Sequence, residues 1–166
     1  MPRTLESTVL HVSRNRLLHD YPGQIAACLD ALTDEQAWWR PNERANSVGN
    51  LVLHLAGSNR HYFAHVLAGE EDQRDRDAEF AARGGHTVAE LKRRWEDSLA
   101  TVARVLETLD ASRLMDTTER TGKTTTVAQV LLHVTHHNAV HLGQIVWVTK
   151  MQQPGTIDDL WMKMRK

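Results

Sequence analysis

The segment Thr135-His136-His137-Asn138-Ala139-Val140-His141-Leu142-Gly143-Gln144 is the densest run of metal-capable side chains in this chain. His133 and His137 are four residues apart, as are His137 and His141. On a helix such pairs stand one above the other, with Cβ atoms about 5–6 Å apart. Two imidazoles at that separation can grip one cation, with zinc–nitrogen distances of about 2.0–2.1 Å. His136 is rotated by about 100° from His137 and cannot easily serve the same ion.

Two ligands from one helix need a third from another element. His54, in Gly49-Asn50-Leu51-Val52-Leu53-His54-Leu55-Ala56-Gly57, lies in strongly apolar sequence, where an imidazole needs a hydrogen-bond partner or a metal. His61 follows two turns later, and it and His65 read as residues of a site's mouth or of the surface. His11 and His19 have no close partner in sequence, and His86 sits beside the Gly84-Gly85 break. His54, His137 and His141 are therefore the expected ligand set, with His133 competing for a place. The bland alternative is a satisfied core histidine and a surface pair. Three protein ligands would leave positions open for water or substrate, as catalytic sites require.

Other metal chemistries are excluded by what is missing. No His-Glu-x-x-His occurs, and no histidine has a Glu three residues before it, so zincin peptidase and di-iron carboxylate signatures are absent. Cys28 is the single cysteine, which rules out a multi-cysteine zinc site and an intramolecular disulfide. Gly122-Lys123-Thr124 resembles the tail of a phosphate loop but lacks the glycine five residues earlier, so an ordinary turn is expected.

These residues must be positioned by helices, because four stretches show helical periodicity and none sustains period-two alternation. The first runs from about Leu5 to Leu32, with a kink or restart expected at Pro22-Gly23. The second starts near Asn46 or Ser47 and runs to about Leu67. The third has Thr87 and Glu90 as a capping box, and the fourth has Thr126 and Gln129, running to about Lys150. Residues 69–85 read as a polar connection with some short structure, and a terminal helix is expected from about Ile157 to Met164. The expected fold is an all-α four-helix bundle occupying residues 1–166 as one domain.

With 20 basic and 21 acidic residues, the net charge is −1 and no basic block stands out, which gives no reason to expect nucleic acid or an anionic membrane surface. No apolar signal core opens the chain, and no apolar run approaches the ~20 residues that span a bilayer. A cytoplasmic protein that engages no membrane is expected.

The segment from Asn46 to Gly57 followed by His137-x-x-x-His141-x-Gly143-Gln144 resembles the DinB-like (DinB/YfiT) superfamily. Trp38-Trp39-Arg40-Pro41-Asn42 and Asp75-Arg76-Asp77-Ala78-Glu79-Phe80 resemble one uncharacterised bacterial branch of it, and the similarity spans about Leu5 to Lys150. The resemblance implies a four-helix bundle, often a homodimer, holding a divalent metal on three histidines that match His54, His137 and His141. It makes His133 a pocket residue. Zinc or nickel is the first expectation, with iron or manganese as alternatives. Family activities range from S-transfer with a low-molecular-weight thiol to metal-dependent hydrolysis, so fold and metal do not select the chemistry.

The leading expectation is a metal-dependent enzyme acting on a small-molecule substrate, its cation favouring the deprotonated form of water or a thiol. Asn50 and Gln144 are the catalytic candidates: one to place an amide near open coordination positions, the other to orient a ligand or secure a histidine's second nitrogen. A structural hydrogen bond between helices is the competing role for both. Trp95 and Trp147 are candidates for the pocket wall or for core packing. No carboxylate adjoins the helix-four motif, and Glu96 or Asp97 could face either way, which tilts the expectation toward thiol transfer. The alternative is a non-enzymatic dimer with a structural metal or a ligand-binding role.

Overall fold

A computed structural model describes residues 4–155 and shows an all-α protein. The helix expected after Ile157 lies outside the described residues. In chain order the helices are α1 (Leu5–Asn15), α2 (Tyr21–Asp30), α3 (Asp34–Trp38), α4 (Val48–Arg60), α5 (Arg76–Ala81), α6 (Val88–Thr108) and α7 (Val127–Gln152). A wide π turn, Arg16–Asp20, joins α1 to α2, and another, His61–Leu67, prolongs α4. Four helical rods result, built from α1 with α2, α4 with its π turn, α6 and α7. α4 packs against α6 and α7, and α2 packs against α7.

Local sequence explains the starts. Ser47, Thr87 and Thr126 each cap a helix, and each forms a reciprocal box with the residue three positions on: Asn50, Glu90 and Gln129. The first rod departs from expectation: its irregularity precedes Pro22 instead of falling on Pro22-Gly23. Pro22 sits in the first turn of α2, and Tyr21 N–H reaches back to Arg16 O. Pro22 has no N–H to donate to the preceding turn, so the helix widens upstream and continues without a break.

Among the described residues three features add to the helical plan: α3, started by a Thr33–Gln36 capping box where a loop was expected, a 3-10 turn at Ala111–Met115, and a two-residue hairpin, β1 (Thr117–Thr118) with β2 (Thr125–Thr126), pairing Thr117 with Thr126 and Thr118 with Thr125. Gly122, at φ +81°, lies in its turn, in line with the reading of Gly122-Lys123-Thr124 as an ordinary turn. Residues 69–85 hold α5 between irregular segments.

Two apolar clusters fill the bundle. One gathers Ile25, Leu29, Leu51, Leu55, Leu91, Trp95 and Ile145; the other gathers Leu17, Phe63, Val102, Leu106, Leu131 and Val134. Along α4 and α7 they are separated by a buried polar step, where Asn138 Nδ2 donates to Asn59 Oδ1 at 3.0 Å and to Val134 O at 2.9 Å. Apolar ridges slide at little cost, whereas a buried amide pair loses its partners in any other register. This pair therefore sets α4 against α7 at the level of His54 and His137.

A second polar node ties α5 down. Asn50 is fully buried; its Oδ1 accepts from Ser47 Oγ at 2.7 Å and from Arg40 Nη2 at 2.6 Å. Its Nδ2 donates to Glu79 O at 2.8 Å and to Ala82 O at 3.0 Å. Trp38 adds to the anchor, donating to His86 O at 2.7 Å and laying its ring against Gly49, where a Cβ would come within 3.0 Å.

Asn50→Ala should lower the free energy of unfolding by on the order of 2 kcal/mol, since it strands buried carbonyls at the end of α5. Denaturant melts of the variant and the parent measure this, and a difference within error would refute the anchoring role.

Candidate metal centre

His54 projects from the middle of α4, while His137 and His141 project from successive turns of α7. One nitrogen from each lies within 4.8 Å of the others. His54 Nε2 and His137 Nε2 are 2.9 Å apart. The His141 ring centroid is 4.9 Å from that of His54 and 4.5 Å from that of His137. His54 is buried and the other two are half-buried, so the cluster opens on the α7 side.

The ring nitrogens that face away from the cluster are mostly tied. His54 Nδ1 meets Glu79 Oε2 at 2.9 Å, and His141 Nδ1 meets Gln144 Oε1 at 2.6 Å. Each acceptor keeps a proton on Nδ1 and leaves the Nε2 lone pair facing the cluster, the tautomer a metal ligand needs. His137 Nδ1 is buried without a partner.

Electrostatics favour the same state. Burial, with the neighbouring imidazoles His141 and His54, pushes His137 down to about 3, so it is neutral at neutral pH. Burial also lowers His141, partly offset by the hydrogen bond to Gln144. The 2.9 Å between His54 Nε2 and His137 Nε2 is a hydrogen-bond distance, so both nitrogens point into the same space. The donor set, its protonation and its spacing thus fit a divalent ion of borderline softness.

Behind His54 lies a charge pair that the sequence reading missed. Glu79, on α5, is buried; its carboxylate takes Arg74 Nε on Oε1 and Arg74 Nη2 on Oε2, both at 2.8 Å, as well as His54. Burial opposes its charge, but hydrogen bonds from Arg74 and His54 outweigh this and hold the carboxyl below its usual range. Gly57, one turn after His54, makes the space: a Cβ there would lie 1.9 Å from Glu79 Oε1. The available signals were a glycine in a helix interior and the quoted segment Asp75 to Phe80. Neither revealed that the two meet.

Aromatic and cationic groups surround the cluster. The Phe80 ring lies 4.5 Å from His54, with the Arg76 guanidinium 5.0 Å from Phe80 on its face. His133, expected in the pocket, stacks on His137 at 5.7 Å and meets Tyr62 at 5.0 Å. Gln144 adjoins the cluster through His141, whereas Asn50 is wholly occupied in anchoring α5. Glu96 and Asp97 are exposed, Trp95 is in the core, and Trp147 is 60% exposed on the outer face of α7. His61 and His65 hold the loop after α4 and are not part of the cluster.

Glu79→Gln should weaken divalent-metal affinity about 10- to 100-fold, as removal of a ligand's carboxylate partner typically does. Gly57→Ala should act in the same direction by displacing that carboxylate, although alanine is favoured over glycine by roughly 1 kcal/mol in a helix interior. Competition against a chelating indicator reads both; parental affinity in the two variants would rule out the carboxylate's role.

No curated protein sequence matches the chain. The family described as "Protein of unknown function (DUF1572)" matches residues 6–163, nearly the whole length, and the chain belongs to that family.

Proposed function

We propose that this protein is a DinB-like metal-dependent enzyme whose divalent ion, zinc or nickel, is held by His54, His137 and His141. The observation that carries the reading is a cluster of three histidine nitrogens within 4.8 Å, buried on the α4 side and partly exposed on the α7 side. Structural zinc is usually closed by four protein ligands, whereas three leave room for a reactant. A cation held there would supply Lewis acidity, favouring the anionic form of a nucleophile at the open position.

The chain's own residues do the rest. Glu79 and Gln144 orient two of the ligands, while the Phe80 ring packs beside His54 and Tyr62 lies against His133. Glu79 is committed to Arg74 and His54 and is not free to take a proton from a substrate. A thiol loses its proton far more readily than water. S-transfer from a low-molecular-weight thiol to a small electrophile is therefore favoured over hydrolysis.

Purified from metal-replete cells, the protein should carry about one divalent ion per chain at this site, and His137→Ala or His141→Ala should abolish it. Thiol consumption with a panel of electrophiles should be lost on chelation and restored by metal. Chelator-sensitive ester or amide cleavage without thiol would replace transferase by hydrolase. Metal that raises the melting temperature but supports neither reaction would establish the structural alternative.

We also propose that the protein works as a homodimer through α7. This helix carries a single charged residue, Lys150, in 26 residues. Leu132, Val140, Trp147 and Met151 nevertheless stand 48–60% exposed at helical spacing along one face. A surface helix normally shows a charged outer face, and an apolar one marks burial by a partner. Gly143 lies in this stripe with nothing within 4 Å of its missing side chain, a notch with no use inside the chain. The stripe spans about 29 Å of helix, long enough for a helix of a second copy to pack along it. Lacking charges that would select a different partner, it suits a second copy of itself. Light scattering should give a dimer, and Trp147→Glu a folded monomer; a monomeric parent at high concentration would refute this.

A further inference from the structure

The loop that delivers Arg74 is itself held by two histidines outside the cluster. His61 Nδ1 meets Asp72 Oδ2 at 2.8 Å, and His65 Nδ1 donates to Glu70 O at 2.8 Å. Their rings lie side by side, centroids 5.6 Å apart and planes inclined by 32°. Among the described residues neither Nε2 has a hydrogen-bond partner. Both rings are partly exposed, His61 with 21% of its side chain accessible.

We propose that His61 and His65 form a second, exchangeable site for a borderline divalent cation such as zinc, nickel or copper(II), bound through their Nε2 atoms. The pattern is that of ligand histidines: Nδ1 is tied to a carboxylate or a peptide carbonyl, which selects the tautomer with its lone pair on Nε2 and limits ring rotation. Within the one π turn their ring centroids are 5.6 Å apart, a separation from which both Nε2 atoms can reach one ion with bonds of about 2.0–2.1 Å. Asp72 carries a full charge: burial opposes it, but the hydrogen bonds from His61 and from Arg74 N–H outweigh this and hold the carboxyl below its usual range. That negative charge, in contact with the His61 ring, favours a bound cation.

Two protein ligands leave the remaining positions to water, so the ion here is held more weakly than at a three-histidine centre. The site is also separate. His61 is seven residues beyond His54, about 10 Å along the helix axis, and shares no ligand with the cluster. An ion on His61 and His65 would clasp residues 70–72 against the end of α4, immediately before Arg74 enters the carboxylate pair with Glu79. The inferred role is to hold that loop.

The test is equilibrium dialysis of the full chain against Zn²⁺ near neutral pH, with zinc counted by elemental analysis. The parent should take up one ion per chain more than the His61→Ala/His65→Ala double variant, and this extra ion should be the weaker. Asp72→Asn should lower its affinity about 10-fold or more without changing the count at saturation. The difference is read independently of the α4–α7 centre: His137→Ala removes the other ion, so failure of either site shows in its own variant. Should the double variant fold poorly, the His61 and His65 ring-proton resonances of the parent must shift as the weaker site fills. Equal zinc counts in parent and double variant, or unmoved resonances, would overturn the proposal.

Discussion

The structure around the cluster depends on one buried carboxylate. Glu79 sits in the notch left by Gly57 and is shared between the Arg74 guanidinium and the His54 imidazole. A carboxylate in that position is strongly unfavourable unless its oxygens are filled, and here both are. Three separate pieces of chain must therefore be in place together: the middle of α4, the loop before α5, and α5 itself. Removing any partner leaves a buried charge without its complement, so the group acts as a lock between the candidate metal centre and the bundle.

The remaining polar contacts serve that lock. Asn50 and Arg40 hold the far end of α5 through Glu79 O and Ala82 O, while His61 and His65 hold the loop before it. The Asn59–Asn138 pair keeps α7 in register, which puts His137 and His141 opposite His54. Each interaction is modest in net terms, about 1 kcal/mol. Their effect is to exclude alternatives: an apolar bundle without them could slide or rotate and scatter the three imidazoles. The elements that give stability and those that give geometry are thus largely different. Apolar clusters lie on either side of the polar level, and no helix among the described residues is long and apolar enough to cross a membrane.

Two quoted motifs acquire a physical meaning only in three dimensions. Trp38 to Asn42 and Asp75 to Phe80 are far apart in sequence and show no periodicity that links them. In the fold, Arg40 and Asn50 meet the carbonyls at the end of α5, and Trp38 lies on Gly49. The segment from Asn46 to Gly57 lies between them. Its two helical glycines are close-approach positions, Gly49 for an indole and Gly57 for a carboxylate.

The sequence by itself determined the four long helical rods, the capped starts at Ser47, Thr87 and Thr126, and the pairing of His137 with His141, because these are written in spacings of three and four residues. It also narrowed the ligand search to His54 by setting an imidazole in apolar surroundings. The committed role of Asn50 and the Glu79–Arg74 pair behind His54 were decided only by tertiary structure. Their partners lie 5 to 32 residues away on elements whose relative placement no local period encodes. Periodicity shows which face of a helix is buried; it does not show which buried charge will find which histidine, because that depends on how the connecting loop folds back.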